Sequence, residues 1–203
     1  ILTIDSWDFA KEDRAFELIL DIENLNLNKN TKIDMICREG DKVYKAEIYK
    51  DIGDDKKVVR VKKVNRRWIE VIFTITIDNK TVNLYMNDKT VNTVAKLTDR
   101  NKKEYLIYAA ESRIKGMKKI ISKIKEKQLE TDKQMNEGYD KLEELRAKKE
   151  SEDQSTENKS LIESNISRIS TELENLKAKQ DESFLEIEQY KAQIAAKEKE
   201  LEK

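Results

Sequence analysis

The side chains able to do chemistry in this 203-residue chain are carboxylates, lysines, arginines, tyrosines and one thiol, Cys37; it contains no His. Without imidazole, neither a Ser-His-Asp nor a Cys-His nucleophile can be assembled, and no His-ligated metal can be held. One cysteine permits neither an internal disulfide nor a Cys-rich zinc site. Paired carboxylates remain as a catalytic device, but glycoside hydrolysis requires two acids facing each other in a cleft. The scattered acids here, such as Glu47 and Glu70, sit on segments that otherwise alternate normally. The chain reads as a non-enzyme that needs no cofactor and no metal.

Binding chemistry is the better prospect. Asp51, Asp54 and Asp55 carry oxygen ligands, yet their spacing fits no calcium loop and reads as a solvated turn. Tyr44, Tyr49, Tyr85, Tyr105 and Tyr108 offer rings for stacking on sugar, or for filling a core. Lys56, Lys57, Lys62, Lys63, Arg66 and Arg67 cluster around one strand. Of these, Lys62, Lys63, Arg66 and Arg67 form the candidate face for an acidic glycan or an acidic protein. Cys37, in an alternating segment, reads as a small buried apolar residue.

The elements that must carry these residues divide near residue 127. Residues 128–203 hold 20 acidic and 13 basic side chains, net −7; the whole chain balances at 41 against 41, which leaves +7 on residues 1–127. Zero net charge argues against a dedicated nucleic-acid binder, and the short apolar runs exclude membrane insertion by a helix. Residues 1–127 hold both Trp and most of the Val and Ile, a β-type composition. Residues 128–203 are rich in Glu, Lys, Leu, Ala and Gln, a helical one.

In the first part apolar residues alternate through 16–22, 33–37, 43–48, 58–61 and 69–77. Turns at Asp78-Asn79-Lys80 and Asn87-Asp88-Lys89 predict antiparallel neighbours on either side of residues 82–86. Short strands with regular turns predict an all-β antiparallel sandwich. In the second part Leu142, Leu145, Ile162, Ile166, Ile169, Leu173, Leu176, Ile187, Tyr190, Ile194 and Leu201 recur at heptad spacing. Such a narrow stripe needs a partner helix, so residues 128–203 read as a coiled coil. Gln180, Ser183 and Lys197 lie in the same seam and would set its register.

The seam loses phase between Leu145 and Ile162, across a polar stretch at 151–156. Either a turn there folds two helices into a hairpin, with Ser155 or Thr156 as cap, or a three-residue insertion overwinds one continuous stalk. The absence of Gly and Pro in that stretch tilts toward the stalk. Residues 104–127 fit a helix seam through Ile107, Ala110, Ile114, Met117, Ile121 and Ile124, and fit two strands equally well. Gly116 would cost a helix about 1 kcal/mol relative to Ala, which tilts that stretch toward strands.

The residues Trp68, Val71 and Phe73, followed by Val82, Leu84, Tyr85, Asn87, Lys89 and Val91, resemble the central hairpin of concanavalin A-like, laminin-G-like jelly rolls. Asp88 stands where that family usually has Gly, a position its tolerance of left-handed backbone allows. Residues 16–22, 33–40, 43–49 and 113–120 resemble the family's flanking strands in order. The resemblance, over residues 4–127, implies a two-sheet jelly roll and strands through 104–127. The organisation expected is a laminin-G-like sandwich at 1–127 and a coiled coil at 128–203. Jelly-roll heads on coiled coils recur in bacteriophage fibres, so a structural attachment protein of a tail fibre, head fibre or baseplate is the function expected. It would self-associate as a trimer or dimer, or through a partner helix, and touch a glycan or another structural protein. Its expected location is a virion or cell surface, or otherwise in solution. Alternatives are a glycan-binding module of a bacterial surface protein and an intracellular scaffold. The seam reaches Lys203 without a terminating Gly or Pro, which predicts a longer native chain.

Overall fold

In a computed structural model, residues 2–22, 32–53, 55–151 and 155–202 are described. Eight strands are followed by two long helices: β1 (Leu2–Ala10), β2 (Ala15–Ile22), β3 (Ile33–Glu39), β4 (Lys42–Asp51), β5 (Lys56–Val61), β6 (Glu70–Ile77), β7 (Lys80–Asn87), β8 (Asn92–Val94), α1 (Lys102–Glu150) and α2 (Thr156–Leu201). They form two compact units, Ile1–Arg113 and Ile114–Lys203. The unit boundary therefore falls upstream of the compositional change at 127.

In the first unit the strands form one sheet in the order β7-β6-β3-β4-β5-β2-β1-β8. The sheet is continuous because β4 serves both halves: Lys42–Lys45 pairs with β3, and Ala46–Asp51 with β5. It curls around a core in which Trp7 of β1 meets Phe73 of β6 at a ring-centroid distance of 5.7 Å and Phe16 of β2 meets Trp68 at 4.9 Å. The alternation read from sequence is the alternation of this core, with Val71, Phe73, Ile75 and Ile77 inward. The β6–β7 hairpin forms at the expected turn, where Asp78 takes a positive φ of 52°.

The second expected hairpin does not form. Asn87 ends β7 by accepting from the amides of Lys89 and Thr90, and β8 then pairs parallel with β1 at the far end of the sheet. A purely antiparallel sheet is thereby corrected to one with a parallel edge pair.

The strands expected across residues 104–127 are instead part of α1. Asn101 Oδ1 accepts from the Glu104 amide (3.0 Å) while Glu104 Oε2 accepts from the Asn101 amide (2.7 Å), a reciprocal capping box that starts the helix. Gly116 is tolerated within α1, at a cost of about 1 kcal/mol against Ala, because the seam residues around it are buried against another helix. Residues 113–120 are thus helical rather than the closing strand of a jelly roll.

The start of α1 also explains β2, every residue of which is buried. Phe16, Leu18, Leu20 and Ile22 face the main core; Ile19 faces the other way, into a second cluster with Ile52, Val58, Tyr105 and Ala109.

In the second unit the helical part is a hairpin, which corrects the continuous stalk. α1 ends at Glu150, and Ser155 caps α2 by accepting from the Asn158 amide (3.3 Å); residues 152–154 lie outside the described residues. The antiparallel sense follows from ion pairs at both ends, Lys149–Glu163 (2.8 Å) and Lys118–Glu198 (3.1 Å). One apolar cluster holds Leu142, Ile169 and Leu173 with Met135, Leu145 and Ile166; another holds Ile114, Met117 and Ile194 with Ile121, Tyr190 and Leu201. Between them lies a polar layer in which Gln128 donates to Ser183 Oγ (2.7 Å) and Gln180 donates to Asp132. Ile187 is buried, while Ile162 and Leu176 are half-buried.

Candidate anion-binding groove

β5 carries the basic cluster because it alternates. Val59 and Val61 point into the core, which turns Arg60 outward and leaves Lys62 and Lys63 exposed where the strand stops. The chain reverses at Lys63, with φ of 62°, so that Val64 drops back into the core. That reversal is pinned to the β1–β2 turn. The Val64 amide donates to the Arg14 carbonyl (2.9 Å), and Arg14 Nε donates to the Val64 carbonyl (3.2 Å).

A groove of about 570 Å³ is lined by Asp13, Arg14, Ala15, Arg60, Lys62, Lys63 and Leu97. A second, of about 310 Å³, shares Arg60, Lys62 and Lys63 and adds Val43, Tyr44, Lys45 and Glu47. The cations are not equally available. Arg60 donates to Glu17 (2.7 Å) and to the Tyr105 hydroxyl (3.1 Å), and its guanidinium lies 3.4 Å from the Tyr49 ring centroid. Lys45 pairs with Glu47 (2.9 Å). That hydrogen bond, the charge of Lys45 and, more weakly, the charge of Lys62 hold the Glu47 carboxyl below its ordinary range. Asp13 accepts from the Leu97 amide (2.6 Å). Among the described residues, Lys62 and Lys63 form no hydrogen bond or ion pair, and the Arg14 side chain bonds only to a neutral carbonyl.

The structure thus brings Lys62 and Lys63 together with Arg14, which sequence reading did not include. The pairing at Val64 gives no signal in a window of neighbouring residues. Arg66 and Arg67, also proposed for this face, are exposed and line neither groove.

The five tyrosines do not form one platform. Tyr44 donates to Glu39 (2.7 Å), Tyr105 to Glu17 (3.0 Å) and Tyr108 to Asp8 (2.6 Å). Tyr49 lies beneath Arg60, and Tyr85 stands exposed on β7. Asp51 pairs with Lys57 (2.6 Å), and Asp54 lies outside the described residues. Among the described residues no group of three or more Cys, Asp or Glu side chains is arranged to hold a metal. Cys37 is fully buried.

The acids that matter most are buried ones on the sheet face beneath the first turns of α1, up to Arg113. Glu17 accepts from Arg60 and Tyr105 and lies 3.5 Å from Arg100. Lys56 bridges Asp5 and Asp21, and Arg113 reaches Asp5 (3.3 Å). Asp8 accepts from Asn92 and Tyr108. Burial beneath α1 would be unfavourable for a lone carboxylate, so each is paired. This network ties the start of α1 to the sheet. Its sequence signal is an acid at outward positions 17 and 21 of a strand whose other outward residues, Ala15 and Ile19, are apolar.

No family of proteins matches this chain, and no curated protein or solved structure matches it either.

Proposed function

We propose that the chain is a non-enzymatic structural and attachment protein whose β-unit grips an acidic partner through the groove at the end of β5. The observation that carries this reading is the pair Lys62 and Lys63, exposed and without hydrogen bond or ion pair beside Arg14, on a chain reversal held by two hydrogen bonds. Cations presented from a rigid shelf raise the local concentration of an acidic ligand and lose little entropy on binding. The jelly-roll likeness of the strands between residues 4 and 94 and the antiparallel coiled-coil reading of α1 and α2 belong to the same proposal. A bacteriophage fibre or baseplate component is its specific setting.

A second reading, an intracellular scaffold, is favoured by the hairpin. A seam filled from within one chain leaves less apolar surface for trimerisation than an open stalk would.

Heparin, a soluble polyanion, tests the groove with the whole chain. Binding is expected to weaken with salt, and Lys62→Glu/Lys63→Glu is expected to weaken it at least tenfold while Arg66→Glu/Arg67→Glu changes it less. Equal loss from both pairs, or none from the first, would reject the groove. Light scattering separates the settings: a stable oligomer favours the fibre component, a monomer the scaffold.

A further inference from the structure

The two edges of the sheet differ. β8, at one end of the strand order, has three residues, whereas β7, at the other, has eight. An unpaired row of backbone N–H and C=O groups is a template for another strand, and proteins guard such edges with prolines, bulges or charges. β7 lacks these along its middle. Its register with β6 is unbroken from Ile77↔Lys80 to Glu70↔Asn87, whereas β1–β2 and β4–β5 both carry register shifts. Its single charged residue is Lys80, at its first position, and most of it is exposed, with Tyr85 at 65% and Val82 at 43%. Among the described residues, β6 is the only strand that pairs with it.

Charge indicates what pairs there. Lys80 opens the strand; Asp88 follows it, still in the ladder through its amide to the Ile69 carbonyl (3.0 Å). Neither side chain has an ion pair or hydrogen bond among the described residues. We propose that β7 pairs antiparallel with β7 of a second copy of this chain, about a two-fold axis at Leu84. In that register Lys80 of each copy lies opposite Asp88 of the other. Val82 meets Met86 and Leu84 meets Leu84 on the core side, while Asn83 meets Tyr85 on the outer side, so neither face changes character. Centring the axis on Asn83 or Tyr85 preserves the faces but sets Lys80 against Met86 or Thr90, and both charge pairs are lost. The contact is self-complementary, as a two-fold dimer requires.

Sedimentation of the full chain over a concentration series at low salt tests this. A monomer–dimer equilibrium is expected. Lys80→Asp, which sets like charges opposite each other at both ends, is expected to weaken it roughly tenfold, and Lys80→Asp/Asp88→Lys to restore it. Asn83→Lys, which leaves both turns intact, should also weaken it. Fluorescence of Trp7 and Trp68, both in the β-unit core, checks that each variant is folded. A chain that stays monomeric throughout overturns the proposal and leaves the edge to a strand from another protein. Association that ignores Lys80→Asp also overturns it, and places the contact elsewhere, for example at the exposed Phe184 and Leu185 of α2.

Discussion

Gly138 and Leu173 meet across the helical hairpin: a Cβ on Gly138 would lie 2.8 Å from Cδ2 of Leu173. Glycine in a helix interior costs about 1 kcal/mol relative to Ala, so its place in α1 has a packing reason. Leu173 fills the space that the missing side chain leaves, beside Leu142 and Ile169. Gly138→Val is expected to lower the stability of the hairpin by about 1–3 kcal/mol through overpacking, read as the thermal midpoint by circular dichroism. Gly138→Val/Leu173→Ala should recover part of that loss. Additive effects of the two changes would show that they do not share one space.

Glu17 is 2% exposed and holds Arg60, Tyr105 and Arg100. Glu17→Ala leaves the half-buried Arg60 and Arg100 without their carboxylate and is expected to cost the β-unit about 1.5–3 kcal/mol. Glu17→Gln, which keeps an acceptor for Tyr105, should cost less. Urea titration followed by Trp fluorescence reads this unit; a loss below about 1 kcal/mol would remove the network from what holds the start of α1 to the sheet.

The β-unit should weaken in alkali. Burial, and then the charge of Glu39, push the Cys37 thiol from 9.0 up to about 12. Burial, and then the charge of Glu17, push Tyr105 from 10.0 up to about 12. Burial and then its hydrogen bond to Asp8 move Tyr108 in the same direction. At Lys56 burial opposes the charge, but hydrogen bonds to Asp21 and Asp5 outweigh it and raise the pKa. Each raised group keeps its proton in the folded state after the unfolded chain has released it. Their stabilisation is therefore complete below pH 9, the lowest of the ordinary values, and declines as pH rises toward about 12. Cys37→Ala should flatten the part of the decline that begins near the ordinary thiol value. Urea midpoints that stay constant from pH 8 to 11 would contradict this.

The polar layer of the hairpin is expected to set its register. Gln128→Leu/Ser183→Leu replaces the 2.7 Å hydrogen bond with apolar contact. The thermal midpoint is expected to rise while the seam loses its single alignment, since a polar seam residue specifies register at a cost in stability. Light scattering should then find mixed oligomers; one species of unchanged mass would assign the register to the apolar clusters alone.

Much of the secondary structure was legible because it rests on periodicity. Alternation around Phe73 and heptads around Ile169 are local patterns, and each survives in the folded chain as a buried face. What misled was local as well. Gly116 and strand-compatible spacing pointed residues 104–127 toward β, while the capping pair Asn101 and Glu104 straddles the start of the ambiguous stretch. The polar stretch near 151–156 lacked Gly and Pro, yet a capping Ser155 was enough to begin a second helix. Of the groove, Lys62 and Lys63 were visible as charges on one strand end. Arg14 was not, since only long-range backbone pairing brings it there.

By itself the sequence determined the kinds of element outside residues 104–127, the exclusion of His-based chemistry and the residues that must be buried, because those depend on side-chain type and on spacing within one segment. The tertiary structure decided which strands became neighbours, that β8 crossed to β1, that the helices folded back on each other, and which charges were neutralised. Those outcomes depend on contacts between residues far apart in the chain. The energy of a buried carboxylate such as Glu17 is set by the guanidinium of Arg60 that arrives from another strand, and no window of neighbouring residues contains both.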